Sequence, residues 1–163
     1  MSDKAASDWA IPVGFYFQVD FQRMGGPMFG ASFKEVTGLG WEFSLESKLD
    51  NSGATIQMPK ALRFSKVELK YPVGDKSEEF QKWLDKCYRI FDEISDSVSP
   101  QKRKADMYDM VIKLLDEKGM PLAAWNCYHA YPVKWSLGGL DSETSKLAME
   151  SVTMTFNSIR RIK

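Results

Sequence analysis

Metal and redox chemistry have little to work with in this chain. Its 163 residues include one histidine, His129, and two cysteines, Cys87 and Cys127. One histidine and two separated cysteines do not make a recognisable zinc site. The two thiols stand on different expected elements, so a disulfide framework is not expected and a reducing site of synthesis is. Charge of either sign is not in excess, since Lys+Arg and Asp+Glu are both 22 and the net charge is zero. Nothing in that balance steers the chain onto nucleic acid or an anionic membrane. A neutral chain has little colloidal repulsion, which permits self-association. No long apolar run is present, so no transmembrane helix is expected. The opening stretch Met1 to Asp8 lacks the apolar segment of a Sec-type signal. Synthesis in a reducing compartment, without a signal peptide, is the expectation.

The motifs of common catalytic sites are missing too. There is no G-x-S-x-G elbow, no P-loop and no G-x-G-x-x-G. Gly25-Gly26-Pro27 puts a proline where phosphate cradling needs a backbone N–H. The carboxylates Glu78/Glu79 and Asp92/Glu93 sit at the ends of an expected helix and read as a solvated face. Lys102-Arg103-Lys104 reads as a wet loop, and His129 as a core or interface histidine. No catalytic residue, metal or cofactor is expected.

What is present is period-two alternation. Phe15, Phe17, Val19 and Phe21 alternate with polar residues, a strand. Phe33 to Glu46 reads as a second strand, with Leu39, Trp41, Phe43 and Leu45 on one side. Gly38 and Gly40 inside it suggest a bulge or a close backbone approach. Leu49 to Ala61 reads as a long connection, with Pro59 inside it, and Leu62 to Tyr71 as a third strand. Ser77 to Ser95 is the one helix, whose apolar stripe holds Phe80, Trp83, Leu84, Cys87, Phe91 and Ile94. Three more strands follow: Met107–Leu115, Leu122–Trp135 and Leu147–Ile159. In the second of these Trp125, Cys127, His129, Tyr131, Val133 and Trp135 share a face. In the last, Ser151, Thr153, Thr155 and Asn157 form a small, polar, uncharged face. The spacing predicts one domain over 1–163 in the order three strands, helix, three strands. The class is mainly β, largely antiparallel, a β-sandwich or partly open barrel with one packed α-helix.

An apolar surplus remains. Aromatics are 13% of the chain, and Trp9, Ile11, Leu49, Ile56 and Met58 lie outside any element that could bury them locally. Residues so placed belong to an interface or fold back as lids on the core. An open sheet has two edges to cover, and strands from identical copies would close them.

The order of these motifs resembles the tail tube proteins of contractile phages and of phage-tail-like contractile injection systems. The resemblance rests on Ser32-Phe33-Lys34-Glu35-Val36-Thr37-Gly38-Leu39, on the strand Val67-Glu68-Leu69-Lys70, and on the helix pair Phe80 and Trp83. It continues through Ile112 to Pro121, Trp125 to Lys134 and Met149 to Phe156, and covers about residues 12–160. Lys60-Ala61-Leu62-Arg63-Phe64 departs from the glycine-rich start common there, and His129 from the usual polar residues.

The resemblance implies hexameric rings stacked into a rigid hollow tube, driven through a target envelope by a contracting sheath. Implied partners are the chain itself, sheath subunits, baseplate and tube-initiator proteins, and cargo or DNA in the lumen. The particle would be a phage tail or an extracellular or cell-anchored injection particle. Residues 1–11 would be a flexible arm and 47–61 an extended inter-subunit loop, with Trp9, Ile11, Leu49, Ile56 and Met58 at subunit and ring contacts. Ser151, Thr153, Thr155 and Asn157 would face the lumen. Two alternatives stay open: a type VI secretion tube protein, and a monomeric β-sandwich ligand-binding module.

Overall fold

A computed structural model of the chain describes residues 16–26, 28–74, 77–92, 106–139 and 148–163. These described residues form ten strands and one helix. Six strands precede the helix: β1 (Tyr16–Gln22), β2 (Phe29–Phe33), β3 (Glu35–Thr37), β4 (Trp41–Leu49), β5 (Thr55–Phe64) and β6 (Val67–Pro72). Then come α1 (Glu78–Asp92), β7 (Tyr108–Leu115), β8 (Pro121–Leu137), β9 (Met149–Thr155) and β10 (Ser158–Arg161). The expected order of three strands, helix and three strands is corrected, although the class is as expected. The expected second strand, Phe33 to Glu46, is three pieces. Gly38 breaks it, with φ +83°, and a Cβ there would lie 2.3 Å from the Lys66 carbonyl oxygen. Leu62 to Tyr71 likewise divides at Ser65-Lys66, and the last strand divides after Thr155.

All pairings are antiparallel, in the order β2-β1-β7-β8-β9-β6-β3, with β10 on β8. The two ends of that path, β2 and β3, are separated in sequence by Lys34 alone. Its N–H donates to the Lys70 carbonyl at 2.9 Å. The sheet therefore turns back on itself, which removes most of the open edge that a flat sheet would carry.

Strand β8 makes the second corner. Its first half pairs with β7 and β10, its second half with β9. Between them the register slips, so that Met110 meets Cys127 and Tyr108 meets Ala130. His129 occupies the bulge with φ 54°. Its N–H donates to Asp109 Oδ1 at 3.0 Å, and the residue is exposed. Of the two expected placements, core or interface, the core one is corrected: within its own chain His129 is a solvent-facing corner residue. The face shared by Trp125 to Trp135 is broken at the same point: Cys127 and Ala130 are buried, while Val133 and Trp135 are exposed.

The core lies between the two halves of the curved sheet and under α1. Val19, Phe21, Phe33, Leu69, Met110, Ile112, Val152 and Met154 fill it from the strands. Phe80, Trp83 and Leu84 enter from the helix, whose N–H of Phe80 is capped by Ser77 Oγ at 3.4 Å. Glu78 and Glu79 occupy the first turn, where the helix dipole favours acid. Cys87 is half-buried at the end of this stripe. The Phe91 side chain lies outside what is described. Trp83 is packed by Phe21, Phe80 and Tyr108 rings with centroids 5.1–6.0 Å away. Contacts of that kind add to plain area burial.

Candidate assembly surfaces

The stretch expected as a loop over 47–61 is half of a β-hairpin. β4 and β5 pair only with each other, in a two-stranded sheet apart from the barrel. The connection is just residues 50–54. Asp50 organises it: Oδ1 accepts from Ser52 N–H at 2.8 Å, Ser52 Oγ at 2.6 Å and Ala54 N–H at 2.9 Å. Those bonds hold its carboxyl below the usual carboxylate range, the Ser52 side chain contributing most. Gly53 takes φ +81° to close the turn. Pro59 is tolerated because the register shifts beside it, leaving Lys60 unpaired.

A free two-stranded hairpin is marginal in water, and this one is exposed along nearly its whole length. The pairing register sorts its side chains onto two faces. On one, near the root, Trp41, Phe43 and Leu45 stand across from Phe64, Leu62 and Pro59. On the other, toward the tip, Met58 faces Glu46 and Ile56 faces Lys48. The apolar side changes face at the Lys60 bulge. Leu49, across from Thr55, does not share a face with Ile56 and Met58, so the expected contact set is split. All three are exposed. Trp9 and Ile11 lie outside the described residues. The exposed root residues Trp41, Phe43, Leu45 and Leu62 were not anticipated as an assembly surface. Their alternation is that of a core strand, and only the absence of a covering layer among the described residues tells them apart.

Beneath the hairpin root is a cleft of about 330 Å³ between Leu39, Gly40 and Trp41 on one side and Trp125, Ile159 and Arg161 on the other. The Arg161 guanidinium sits 5.9 Å from the Trp125 ring centre. A larger groove, about 690 Å³, runs between α1 and the second half of β8, where Leu84, Tyr88, Tyr131, Val133 and Trp135 line it.

The polar face of β9 brings Ser151, Thr153 and Thr155 together, each half-buried. Ser151 and Ser136 share a hydroxyl hydrogen bond of 2.7 Å. Asn157 is not in the strand. It stands at the β9–β10 break, its N–H donating to Tyr128 O at 2.9 Å. The neighbouring strands add charge to this face, with Glu68 and Lys70 from β6 and Lys134 from β8. Lys70 is bridged to Glu35 at 3.0 Å, and that bond holds its ammonium pKa above the ordinary value. On the buried side, Glu150 accepts from the Tyr71 hydroxyl at 2.7 Å and the Trp135 indole at 3.2 Å. Burial, then the Glu150 bond, pushes the Tyr71 hydroxyl up. Among the described residues no group of three His, Cys, Asp or Glu side chains converges as a metal site. No described helix is long and apolar enough to cross a membrane.

A curled antiparallel sheet carrying one packed helix and a projecting, two-faced apolar hairpin fits a structural subunit. The chain belongs to the family of T4-like virus tail tube proteins, gp19, whose model it matches over residues 13–160. Solved structures agree on the fold. A chain of the extracellular contractile injection system PVC, in its sheath/tube terminator in the extended state, is 21% identical with a TM-score of 0.71. That match covers 97% of this chain and 100% of that one. A chain of the anti-feeding prophage baseplate, 6-fold symmetrised, is 19% identical with a TM-score of 0.70, covering 99% and 97%. A type six secretion system protein is more distant, 7% identical with a TM-score of 0.55, covering 91% and 83%. No curated protein matched the sequence.

Proposed function

We propose that this tail tube protein is the repeating subunit of the inner tube of a contractile injection system or phage tail. Six copies form a ring, rings stack into a hollow tube, and a contracting sheath drives the tube through a target envelope. The lumen conducts cargo or DNA, and the role is structural rather than catalytic. The observation that carries this reading is the β4–β5 hairpin, whose apolar faces find no cover among the described residues. A hairpin so exposed needs a partner surface, and an identical copy supplies one in every ring.

In this reading the tip residues Ile56 and Met58, with Leu49 on the opposite face, make the ring-to-ring contact, joined by the arm around Trp9 and Ile11. Burying Ile56 and Met58 would contribute roughly 1.5–3 kcal/mol each. Sheath, baseplate and tube-initiator proteins are the further partners, in line with the sheath–tube, baseplate and cap assemblies that hold the similar chains. Ser151, Thr153 and Thr155 line the lumen, with Asn157 at its edge. Short hydroxyls give sliding cargo weak hydrogen bonds in place of an adhesive apolar or strongly basic wall. Two unpaired thiols, Cys87 and Cys127, suit synthesis in a reducing compartment before the particle is assembled.

The type VI secretion tube is the second reading, and the distant likeness in fold supports it. A monomeric ligand-binding module is disfavoured by the bare hairpin. Gel filtration of the purified chain, followed by negative-stain microscopy of each fraction, separates the two tube readings from the monomeric module. Rings or tubes are expected, and a single monomeric peak without particles would rule out the tube.

A further inference from the structure

The β4–β5 hairpin hangs from the rest of the chain by two short unpaired stretches, residues 38–40 and 65–66. On the inner side of this joint the chain is held. Gly38 lies against the Lys66 carbonyl, and Leu39 and Phe64 pack on the core. At the joint itself the Ser65 N–H donates to the Gly40 carbonyl at 3.0 Å. A Cβ on Gly40 would meet nothing closer than Ser65 Oγ, at 3.8 Å. A glycine in open surroundings, between a held segment and a projecting arm, is suited to be a hinge.

One face of the hairpin looks toward the sheet. The Phe64 ring packs 5.8 Å from that of Phe156. Trp41 stands directly across from Phe64 on the same face, and Phe43 meets the Trp41 ring edge-on at 5.3 Å. Yet Trp41 is 58% exposed and Phe43 49%. What separates Trp41 from the rest of the chain is the cleft of about 330 Å³, whose far wall is Trp125, Ile159 and Arg161. That wall is fixed in place. The Ile162 N–H donates to the Ala124 carbonyl at 2.9 Å, and Arg161 Nε–H donates to the Lys163 carbonyl at 2.7 Å. The guanidinium, 5.9 Å from the Trp125 ring centre, is a planar cation of the kind on which aromatic rings stack.

We propose that the hairpin is a latch on assembly. In the free subunit it turns about Gly40 and Ser65, lays Trp41 and Phe43 on Trp125, Ile159 and Arg161, and closes the cleft. The structure holds the open position, in which the root face is offered to other copies. Apolar burial drives the closing, since two aromatic rings leave water and an otherwise free hairpin gains a covering layer. Opening needs a competing surface, which another copy supplies, and this half of the inference rests on the tube reading. A chain of zero net charge has no overall repulsion to hold copies apart. Covering the root face keeps free subunits from joining wrongly.

Disulfide capture tests the closing in a Cys87→Ala background, where the remaining Cys127 is fully buried. Phe43 lies two residues, about 7 Å, beyond Trp41 and outside the lining of the cleft. Phe43→Cys with Arg161→Cys is oxidised at a concentration below that of assembly. The pair should bridge within one chain, seen as a faster-running monomer on a non-reducing gel. Glu42→Cys with Arg161→Cys, from the opposite face of the hairpin, should not. The bridged subunit should stay out of tubes and join them after reduction. Dimers in place of the bridged monomer, no bridge at all, or equal bridging by the Glu42 variant would overturn the latch. Bridged subunits that enter tubes as readily as reduced ones would overturn its control of assembly. In the otherwise unchanged chain, Arg161→Ala should shorten the lag of tube growth several-fold by light scattering, and an unchanged or longer lag would count against that control as well. If the wild type forms no tubes, the tube reading falls, and the disulfide still decides whether the hairpin closes.

Discussion

The Trp83 indole N–H donates a 2.9 Å hydrogen bond to the backbone carbonyl of Asp106. That bond ties the middle of α1 to the residue that leads into β7, across the aromatic cluster. Trp83 is nearly fully buried. Trp83→Ala should therefore cost roughly 3–5 kcal/mol of monomer stability. Trp83→Phe keeps much of the packing but leaves the carbonyl only the weak 4.0 Å contact from the Cys87 thiol, and should cost about 1–3 kcal/mol. Urea melts of the unassembled chain check both, and a wild-type midpoint for Trp83→Ala would remove the helix from the core.

The His129 bulge makes an opposite prediction. A non-glycine residue at φ 54° carries strain that glycine does not. His129→Gly should stabilise the monomer by up to about 1 kcal/mol, and His129→Val should destabilise it by at least as much. Thermal melts of the two variants should move in opposite directions. If both fall together, the side chain contributes more than its backbone strain costs.

Both thiols should weaken the fold at high pH. Burial, with the Asp106 charge adding to it, pushes Cys87 up to about 12, and burial alone does the same to Cys127. An unfolded thiol ionises near 8.5. Between that value and about 12 the unfolded chain releases protons that the folded chain retains. Stability is then full below the unfolded value and is lost as pH rises. The slope is at most about 1.4 kcal/mol per thiol per pH unit. Denaturant midpoints between pH 9 and 11 should fall less steeply for Cys127→Ala than for the wild type, after correction for its lower starting stability.

Much of this fold was legible in the sequence. The strands that alternate cleanly, such as β1, β6 and β9, sit where period two puts them, because each has one buried face and one wetter face. The hairpin was hidden for two reasons. Pro59 reads as a strand breaker, yet it is accommodated at the Lys60 register shift. The alternation of Trp41, Phe43 and Leu45 also reads as core, because sequence alone does not say whether a layer covers a strand. The His129 corner was hidden because a bulge reverses the inward and outward faces without any glycine or proline to mark it. Asn157 was assigned to the strand face for the same reason: the break after Thr155 leaves the alternation visibly intact.

The polar face of β9 yields a labelling prediction. With Thr153→Cys in assembled tubes, a bulky maleimide too large to enter the lumen should react slowly, and dissociation of the tubes should restore rapid reaction. Equally fast reaction in both states would put Thr153 on the outer wall.

The central claim is that this chain assembles through its hairpin. It is tested most directly by electron microscopy of the wild type beside the double variant Ile56→Ser with Met58→Ser. The wild type should form rings and tubes at high concentration. The variant should melt within about 0.5 kcal/mol of the wild type, because both residues are solvent-exposed in the monomer, yet fail to grow tubes. Tubes from the variant as long and as frequent as those of the wild type, or a wild type that stays monomeric at every concentration, would contradict the account.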